Sequence, residues 1–184
     1  MATIGYLLWS IFTPVPPALD YRIALIAELP QAKHKLNGQV ILSDGDSFKM
    51  ANTNDRVRLH GIDSPELAQN CSQNGKKWAC GLQAKLALSR KINHAEISCV
   101  GDELDAYQRL IATCYLHVSG QENELSLNGY ENLNQWMVKN GWAIAYRFYS
   151  ERYIGSEKFA KTKRLGIWRG SFMPPYNWRR QNPR

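Results

Sequence analysis

The sequence predicts an α+β, mainly β fold, in which five strands form a Greek-key barrel accompanied by three helices. Three observations support this: short β-prone runs joined by tight turns, an inserted segment with helical apolar spacing, and two helical segments near the end. The order is three strands, a helix, two strands and two helices. The OB-fold is the common example of such a barrel, and an α+β sandwich with the same order is the alternative.

The first three strands are predicted at residues 39–42, 47–50 and 56–62. The first turn between them has Asp44-Gly45 at its centre, which is strong turn chemistry, and the second is an Asn/Asp-rich stretch at 52–55. In the third run, Val57 and Leu59 share one face, whereas Arg58 and His60 share the other. If the first three strands pair as a meander, Arg58 lies on the face opposite Val57 and Leu59.

A helix is predicted over residues 75–92, because Trp78, Leu82 and Leu86 recur every four positions. β-like runs follow at 96–100 and 110–118. A second helix around residues 133–137 is expected to end at Gly141, which suits the residue after a helix C-terminus. A third is expected to begin after Ser150 and to stop at Gly166.

A length of 184 residues suits one domain with appendages rather than two domains. Residues 1–36 are interpreted as an N-terminal extension or a poor export signal, because their apolar run is short and no basic residue precedes it. The folded domain is placed at residues 37–170. Residues 171–184 are interpreted as a basic tail rich in Pro and Trp.

The net charge of +7 is unevenly distributed along the chain. Residues 139–184 carry eleven basic against two acidic residues, a net charge of +9. Residues 37–138 carry nine basic against twelve acidic residues, a net charge of −3. A basic end beside an acidic middle is typical of a polyanion-binding surface near a cation site, and a solvated helix face with a basic tail is the alternative.

Four cysteines occur, and none lies in a CxxC pair or at zinc-finger spacing from a histidine, which argues against a zinc site. An even number in a small domain permits two disulfides and hence an oxidising compartment. Four cysteines allow three pairings, and four buried free thiols are the alternative.

Two acidic clusters on polar turns carry the candidate chemistry. Asp44 and Asp46 form the first, Asp63 and Glu66 form the second, and Arg58 lies on the strand between them. A three-strand meander would bring both turns to strand ends, where their carboxylates converge. Calcium prefers carboxylate, carbonyl and water oxygens, so Asp46, Asp63 and the Ser64 carbonyl are candidate ligands.

The chain resembles the staphylococcal nuclease (thermonuclease) family, bacterial exported branch, over about residues 38–170. The resemblance is carried by Asp-Gly-Asp-Ser at 44–47, Val-Arg-Leu at 57–59, Ile-Asp-Ser-Pro-Glu at 62–66, Asp-Ala-Tyr-Gln-Arg at 105–109, Gly-Trp-Ala at 141–143 and Gly-Ile-Trp at 166–168. All blocks occur in the family's order. The resemblance implies a barrel of that family's type and a phosphodiesterase acting on DNA and RNA.

The same resemblance implies roles for individual residues. Asp46, Asp63 and Ser64 would hold one Ca²⁺ per chain, Glu66 would act as general base, and Arg58 and Arg109 would bind the scissile phosphate. Tyr107 and Tyr146 would line the nucleotide pocket. Two guanidinium groups suit the charge that builds on phosphoryl oxygens, because each can form two hydrogen bonds at once. Gln108 replaces the family's usual Gly, so a positive φ there would strain the turn that carries Arg109.

Two disulfides, Cys71–Cys80 and Cys99–Cys114, are also implied by the exported branch. The implied protein is an exported monomer, periplasmic or secreted, with an N-terminal membrane association as the alternative. It would cleave nucleic acid with little sequence preference and without an obligate protein partner, leaving 5′-hydroxyl and 3′-phosphate ends. A catalytically weak or inactive nucleic-acid-binding module of the same family is the alternative function.

Overall fold

The computed structural model describes residues 25–26, 29–118 and 129–183. Most of the predicted N-terminal extension, and with it the question of an export signal, lies outside the described residues. Within the described ranges, no helix combines the length and the apolar character that a bilayer span requires.

Twelve strands and four α-helices are found in the described residues, together with a 3-10 helix at Gly166–Arg169. The strands are β1 Leu25–Ile26, β2 His34–Gly38, β3 Val40–Leu42, β4 Ser47–Met50, β5 Arg56–Leu59, β6 Ile62–Asp63, β7 Cys71–Gln73, β8 Lys76–Trp78, β9 Ile97–Leu104, β10 Arg109–Val118, β11 Gly129–Asn132 and β12 Ile144–Ala145. The helices are α1 Cys80–Ile92, α2 Leu133–Lys139, α3 Ile154–Thr162 and α4 Pro175–Gln181.

Strand β10 is the central strand of the eight-stranded sheet and pairs with three other strands. One edge pairs along its length with β9. The other edge pairs first with β5, in parallel, and then with β11, antiparallel. Strands β3, β4 and β5 form the predicted antiparallel meander, and β2 and β1 extend the sheet at β9 and β11. The parallel contact between β5 and β10 sets the start of β10 beside the start of β5.

The predicted fold class is confirmed at this level: the protein is a mixed α+β chain with a curled sheet, consistent with a barrel of the OB type. The number of helices differs, because α4 lies in the segment predicted as a tail. At the other end, β2 begins at His34, three residues before the predicted start of the domain. Both termini of the described chain thus contribute elements that pack on the barrel.

The main core lies between the sheet and helices α1 and α2. Val57 and Leu59 of β5 are fully buried, as their alternation with Arg58 predicted. Burying such side chains contributes roughly 1.5–3 kcal/mol each, so this face supplies much of the stability. Ala84 and Leu88 of α1 face the same core.

Helix α1 begins at Cys80, five residues later than predicted. Residues 71–78 instead form a hairpin, β7–β8, with Asn74 and Gly75 at positive φ in its turn. Asn-Gly is the dipeptide that favours such two-residue turns, and this signal overrides the apparent helical spacing. Leu82 and Leu86, which suggested that spacing, are 42% and 37% exposed.

Both disulfides join the cysteines that the resemblance implied. Cys71–Cys80 ties the hairpin to the start of α1, and Cys99–Cys114 joins directly opposed residues of β9 and β10. All four cysteines of the sequence lie in the described ranges, and each is in one of these two disulfides.

Helix α2 has the features of a well-defined helix. The Asn132 side chain accepts a hydrogen bond from the Gln135 amide at its start, and Gly141 follows its end with φ of +72°. Helix α3 begins four residues after Ser150, so the predicted cap is wrong: the Ser150 hydroxyl instead accepts a hydrogen bond from the Arg152 amide.

Candidate active site

The two acidic turns lie against each other because a glycine permits it. A Cβ added to Gly45 would stand 2.1 Å from the Ser64 hydroxyl oxygen, so a larger residue there would have to displace the Ser64 side chain. The Ser64 amide donates to the Asp46 carboxylate (2.6 Å), and the Ser64 hydroxyl donates to the Trp142 carbonyl (2.9 Å). The turn before β4 is thereby fixed to the end of β6.

Arg58 joins the two turns. Because β5 pairs with β4, Arg58 lies opposite Ser47 and its side chain extends across the non-core face of the sheet. One guanidinium nitrogen donates to Asp46 Oδ1, and the other donates to Asp63 Oδ1 at 3.0 Å. Asp46 and Asp63 are 1% and 0% exposed, so both charges depend on this pairing.

Burial dominates the electrostatics of this group. It raises the pKa of Asp46 to about 6, although the Arg58 charge acts in the opposite direction. Burial also raises the pKa of Asp63, against the hydrogen bonds and charges of Arg179 and Arg58. For Arg58, burial lowers the pKa, but Asp46 and Asp63 outweigh it and the net shift is upward. Two carboxylates kept close in a dry site favour an additional positive charge.

Glu66 is held by a turn that the sequence did not reveal. The side chain of Gln69 accepts from the Glu66 amide (3.2 Å), and the Gln69 amide donates to the Glu66 carbonyl (2.7 Å). Gly81 of α1 approaches so closely that an added Cβ would stand 1.7 Å from the Glu66 carbonyl oxygen. Gln69 is fully buried and also donates to the Met173 carbonyl at 2.7 Å, which links this turn to the approach to α4.

Arg109 reaches the site from the start of β10. Its guanidinium is oriented by Asp105, with Nε 2.7 Å from Asp105 Oδ2, and Nη1 lies 3.5 Å from the Ser47 hydroxyl. Arg58 Nη1 lies at the same distance from that hydroxyl, so both arginines converge on Ser47. Gln108 does adopt a positive φ, +60°, yet the turn still directs Arg109 toward the acidic group.

Aromatic side chains flank the arginines and the carboxylates. Tyr107 is 69% exposed, and its ring lies 5.4 Å from the Arg109 guanidinium. Tyr146 is half-buried; burial raises the pKa of its hydroxyl, and the negative charge of Asp63 raises it further. The Tyr146 ring contacts Tyr149 at 5.1 Å and Tyr176 of α4 at 6.4 Å between centroids. The exposed faces of these rings offer surfaces on which bases can stack.

A third arginine enters this site, and sequence analysis did not select it as a site residue. Arg179 of α4 donates to Asp63 Oδ1 (2.8 Å), to Asp63 Oδ2 (3.2 Å) and to Glu66 Oε1 (3.0 Å). Burial opposes its charge, but the hydrogen bonds and charge of Asp63, followed by those of Glu66, raise the pKa of Arg179 overall. The partners lie 116 and 113 positions away in the chain, so no local pattern connects them.

The oxygen atoms of the site suit a hard cation better than a soft one. Two buried carboxylates and the neighbouring Ser64 carbonyl are oxygen donors of the kind that Ca²⁺ takes. Among the described residues, no group of three or more His, Cys, Asp or Glu side chains is arranged to hold a metal ion. A site built on two carboxylates would have to be completed by backbone oxygen and water.

Comparison with known proteins identifies the family of the chain. Residues 56–170 match the family model described as "Staphylococcal nuclease homologue". The chain is 31% identical over 173 residues to a protein named micrococcal nuclease from Shigella flexneri, covering 89% of this chain and 91% of that protein. It is 33% identical over 150 residues to an uncharacterized endonuclease from Haemophilus influenzae, covering 77% of this chain and 71% of that protein. It is 28% identical over 170 residues to protein ParB from Escherichia coli, covering 87% and 88%. Because the family match takes in more than half of the 184 residues, the chain belongs to the staphylococcal nuclease family, and the sequence-based prediction of a nuclease hydrolase is confirmed at that level.

Proposed function

We propose that the protein is a Ca²⁺-dependent nuclease that hydrolyses phosphodiester bonds of DNA and RNA with little sequence preference. The observation that carries the proposal is the position of Arg58, hydrogen-bonded to Asp46 and Asp63 while meeting Arg109 at the Ser47 hydroxyl. Two guanidinium groups beside a buried pair of carboxylates suit a phosphate group bound next to a cation.

Asp46, Asp63 and the Ser64 carbonyl would hold the Ca²⁺, one per chain. Both carboxylates are buried and their pKa values are raised by burial, so added positive charge at this point is favourable. When bound, the ion supplies charge neutralisation at the phosphoryl oxygens and orients the attacking water.

The protein's own residues would then divide the remaining work. Glu66, held by Gln69, would accept the proton of the attacking water as general base. Arg58 and Arg109 would each donate hydrogen bonds to phosphoryl oxygens, on which negative charge increases in the transition state. By the family resemblance, the ends produced would be a 5′-hydroxyl and a 3′-phosphate.

Tyr107 and Tyr146 would line the nucleotide pocket. The exposed ring of Tyr107 lies over Arg109, and Tyr146 lies near Asp63, so both rings stand beside the groups assigned to the phosphate and the cation. Binding through phosphates and base stacking gives affinity with little base readout. Sequence preference is therefore expected to be weak.

The test is cleavage of plasmid and single-stranded substrates in Ca²⁺, with EDTA and Mg²⁺ controls. Glu66→Gln is expected to lower turnover by about 10²- to 10⁴-fold, the usual contribution of a general base, while nucleic-acid binding persists. Glu96→Gln is the matched control, because Glu96 is an exposed acid outside the site. Cleavage that continues with all Ca²⁺ chelated would refute the metal assignment, and unchanged turnover in Glu66→Gln would refute the base.

A catalytically weak or inactive nucleic-acid-binding module is the second candidate. The positive φ at Gln108 favours this second function, because Gln108 directly precedes Arg109 and its backbone is strained. A chain that retards nucleic acid in a gel but cleaves nothing in Ca²⁺ would support this second function.

We further propose that the chain is an exported monomer, periplasmic or secreted, whose nuclease domain is built mainly from residues 37–170, with β2 and α4 adding elements at its two ends. Support for export comes from the two disulfides, because such bonds persist in oxidising compartments and are rare in the cytosol. Cell fractionation checks the location, and sedimentation checks the monomeric state. Recovery of the chain from the cytosol with four reduced thiols would contradict export.

A further inference from the structure

The C-terminal helix α4 places a cation where the proposed function places a metal ion. The Arg179 guanidinium stands between Asp63 and Glu66 and donates to both. Its side chain is 34% exposed, whereas that of Asp63 is 0% exposed and that of Glu66 is 11% exposed. A partly solvated cation therefore closes off two largely buried carboxylates.

Counting acceptor positions shows how completely Asp63 is occupied. An ionised carboxylate offers about four lone-pair positions, two on each oxygen. Oδ1 accepts from Arg58 and from Arg179, and Oδ2 accepts from Arg179 again. A cation that used Asp63 as a ligand would therefore meet a guanidinium already bound to both carboxylate oxygens.

Charge leads to the same result. Arg58 is shared between Asp46 and Asp63, so by itself it supplies one positive charge for two buried negative charges. Arg179 supplies the second positive charge and satisfies Glu66 as well. A divalent cation at the same carboxylates would supply two positive charges in place of the single charge of Arg179. It would also repel the guanidinium at close range.

We propose that Arg179 is a placeholder for the divalent cation: it binds Asp63 and Glu66 in the metal-free protein and leaves them when the cation binds. This inference rests on the proposed Ca²⁺ site. The Arg179 side chain can leave without displacing α4. The helix is held at its start, where Pro175 is buried and Gln69 donates to the Met173 carbonyl. Rotation of the long Arg179 side chain toward solvent is sufficient.

The proposal predicts opposite effects on two properties. Loss of Arg179 should weaken the metal-free protein, because two carboxylates lose a partner. It should strengthen Ca²⁺ binding, because the cation no longer has to displace a competitor. A residue that simply orders the site would affect both properties in the same direction.

The experiment is calorimetric titration of Ca²⁺ into metal-free Arg179→Gln and Arg180→Gln, with melting temperatures recorded in EDTA. Arg180→Gln is the matched control: it removes the same charge from the next residue, whose guanidinium lies over the Tyr176 ring rather than at the carboxylates. Arg179→Gln is expected to bind Ca²⁺ about tenfold or more tightly than the wild type, because charged hydrogen bonds are each worth roughly one to two powers of ten. In EDTA it is expected to melt below Arg180→Gln.

The outcomes separate this inference from the proposed function. If the wild type binds Ca²⁺ and Arg179→Gln binds it equally or more weakly, the placeholder is refuted and the Ca²⁺ site stands. Equal melting temperatures of the two variants in EDTA would also refute it, because a placeholder must stabilise the metal-free protein. If neither the wild type nor Arg179→Gln binds Ca²⁺, the metal assignment fails and the inference fails with it.

Discussion

Asn134, the second residue of α2, provides the sharpest test of how the barrel is held together. Its side chain is fully buried and makes three hydrogen bonds of 3.0 Å: Oδ1 accepts from the Cys114 amide, and Nδ2 donates to the His60 and Ala112 carbonyls. These contacts join α2 to β10 and to the end of β5. One amide thus replaces strand pairing at the point where the two parallel strands separate.

We expect Asn134→Ala to destabilise the protein by about 3–5 kcal/mol. A buried group that loses its partner costs roughly 1–3 kcal/mol. The Cys114 amide and the His60 carbonyl each lose a partner, whereas the Ala112 carbonyl still accepts from the His60 amide at 2.8 Å. The vacated volume adds a smaller cavity contribution. That total is a large share of the stability of a domain of this size.

The assay is urea unfolding in EDTA, followed by tryptophan fluorescence. The midpoint should fall in Asn134→Ala while the slope with urea concentration stays constant. Asn54→Ala is the control, because Asn54 lies in an exposed turn; it should change the stability by less than about 0.5 kcal/mol. A loss of less than about 1 kcal/mol in Asn134→Ala would refute the reasoning.

Asn134→Asp separates hydrogen bonding from packing, because the volume is unchanged. The carboxyl keeps the acceptor for the Cys114 amide but can donate to a carbonyl only when it is protonated. Burial should raise the pKa of the introduced carboxyl, so the variant should recover stability as the pH is lowered below neutral. Loss of stability that is independent of pH between 4 and 7, measured by the same unfolding assay, would contradict this.

Three further predictions concern a turn, a histidine and a disulfide. Gln108→Gly removes a side chain from a residue with φ of +60° and should raise the free energy of unfolding by about 1 kcal/mol or less, because strain relief is partly offset by the flexibility of Gly in the unfolded chain. The urea midpoint should rise accordingly, and a lower midpoint would refute the prediction. Burial, and then the charge of Arg152, lowers the pKa of His60, so below pH 6.5 the unfolded chain binds more protons, and the stability due to neutral His60 is lost as the pH falls through its folded pKa. Melting temperatures of His60→Gln should therefore fall less steeply with acidity than those of the wild type. Replacing Cys99 and Cys114 together by Ser should cost about 3 kcal/mol, from a bridge between cysteines 15 positions apart, and an unchanged melting temperature would contradict this.

Sequence alone predicted the parts of the site whose geometry is local. Asp46 and Asp63 lie on turns next to short strands, and the strand alternation of Arg58 determines which face it occupies. The family resemblance added the position of Arg109. These residues do converge, although their individual catalytic roles remain proposals.

Other parts depend on contacts that carry no local pattern. The Gln69 side chain donates a hydrogen bond to a carbonyl 104 positions away, and Arg179 binds carboxylates more than 110 positions away. The helix that carries Arg179 did have a signal, because Pro175 is favourable at a helix start. The hairpin before α1 also had a sequence signal, the Asn74-Gly75 turn, but the helix-like spacing of Leu82 and Leu86 obscured it.

The four-residue parallel pairing of β5 with β10 also bears on how activity arises. Arg58 and Arg109 are 51 positions apart in the sequence, and only this pairing brings their guanidinium groups to one hydroxyl. Closing a loop of that length has an entropic cost that must be met before any contact forms, so this register is expected late in folding. In a chain whose barrel is still open, the two arginines of the proposed phosphate site are therefore still separated. Recovery of cleavage during refolding is therefore expected to follow closure of the barrel, so that cleavage serves as a readout of a late step in folding.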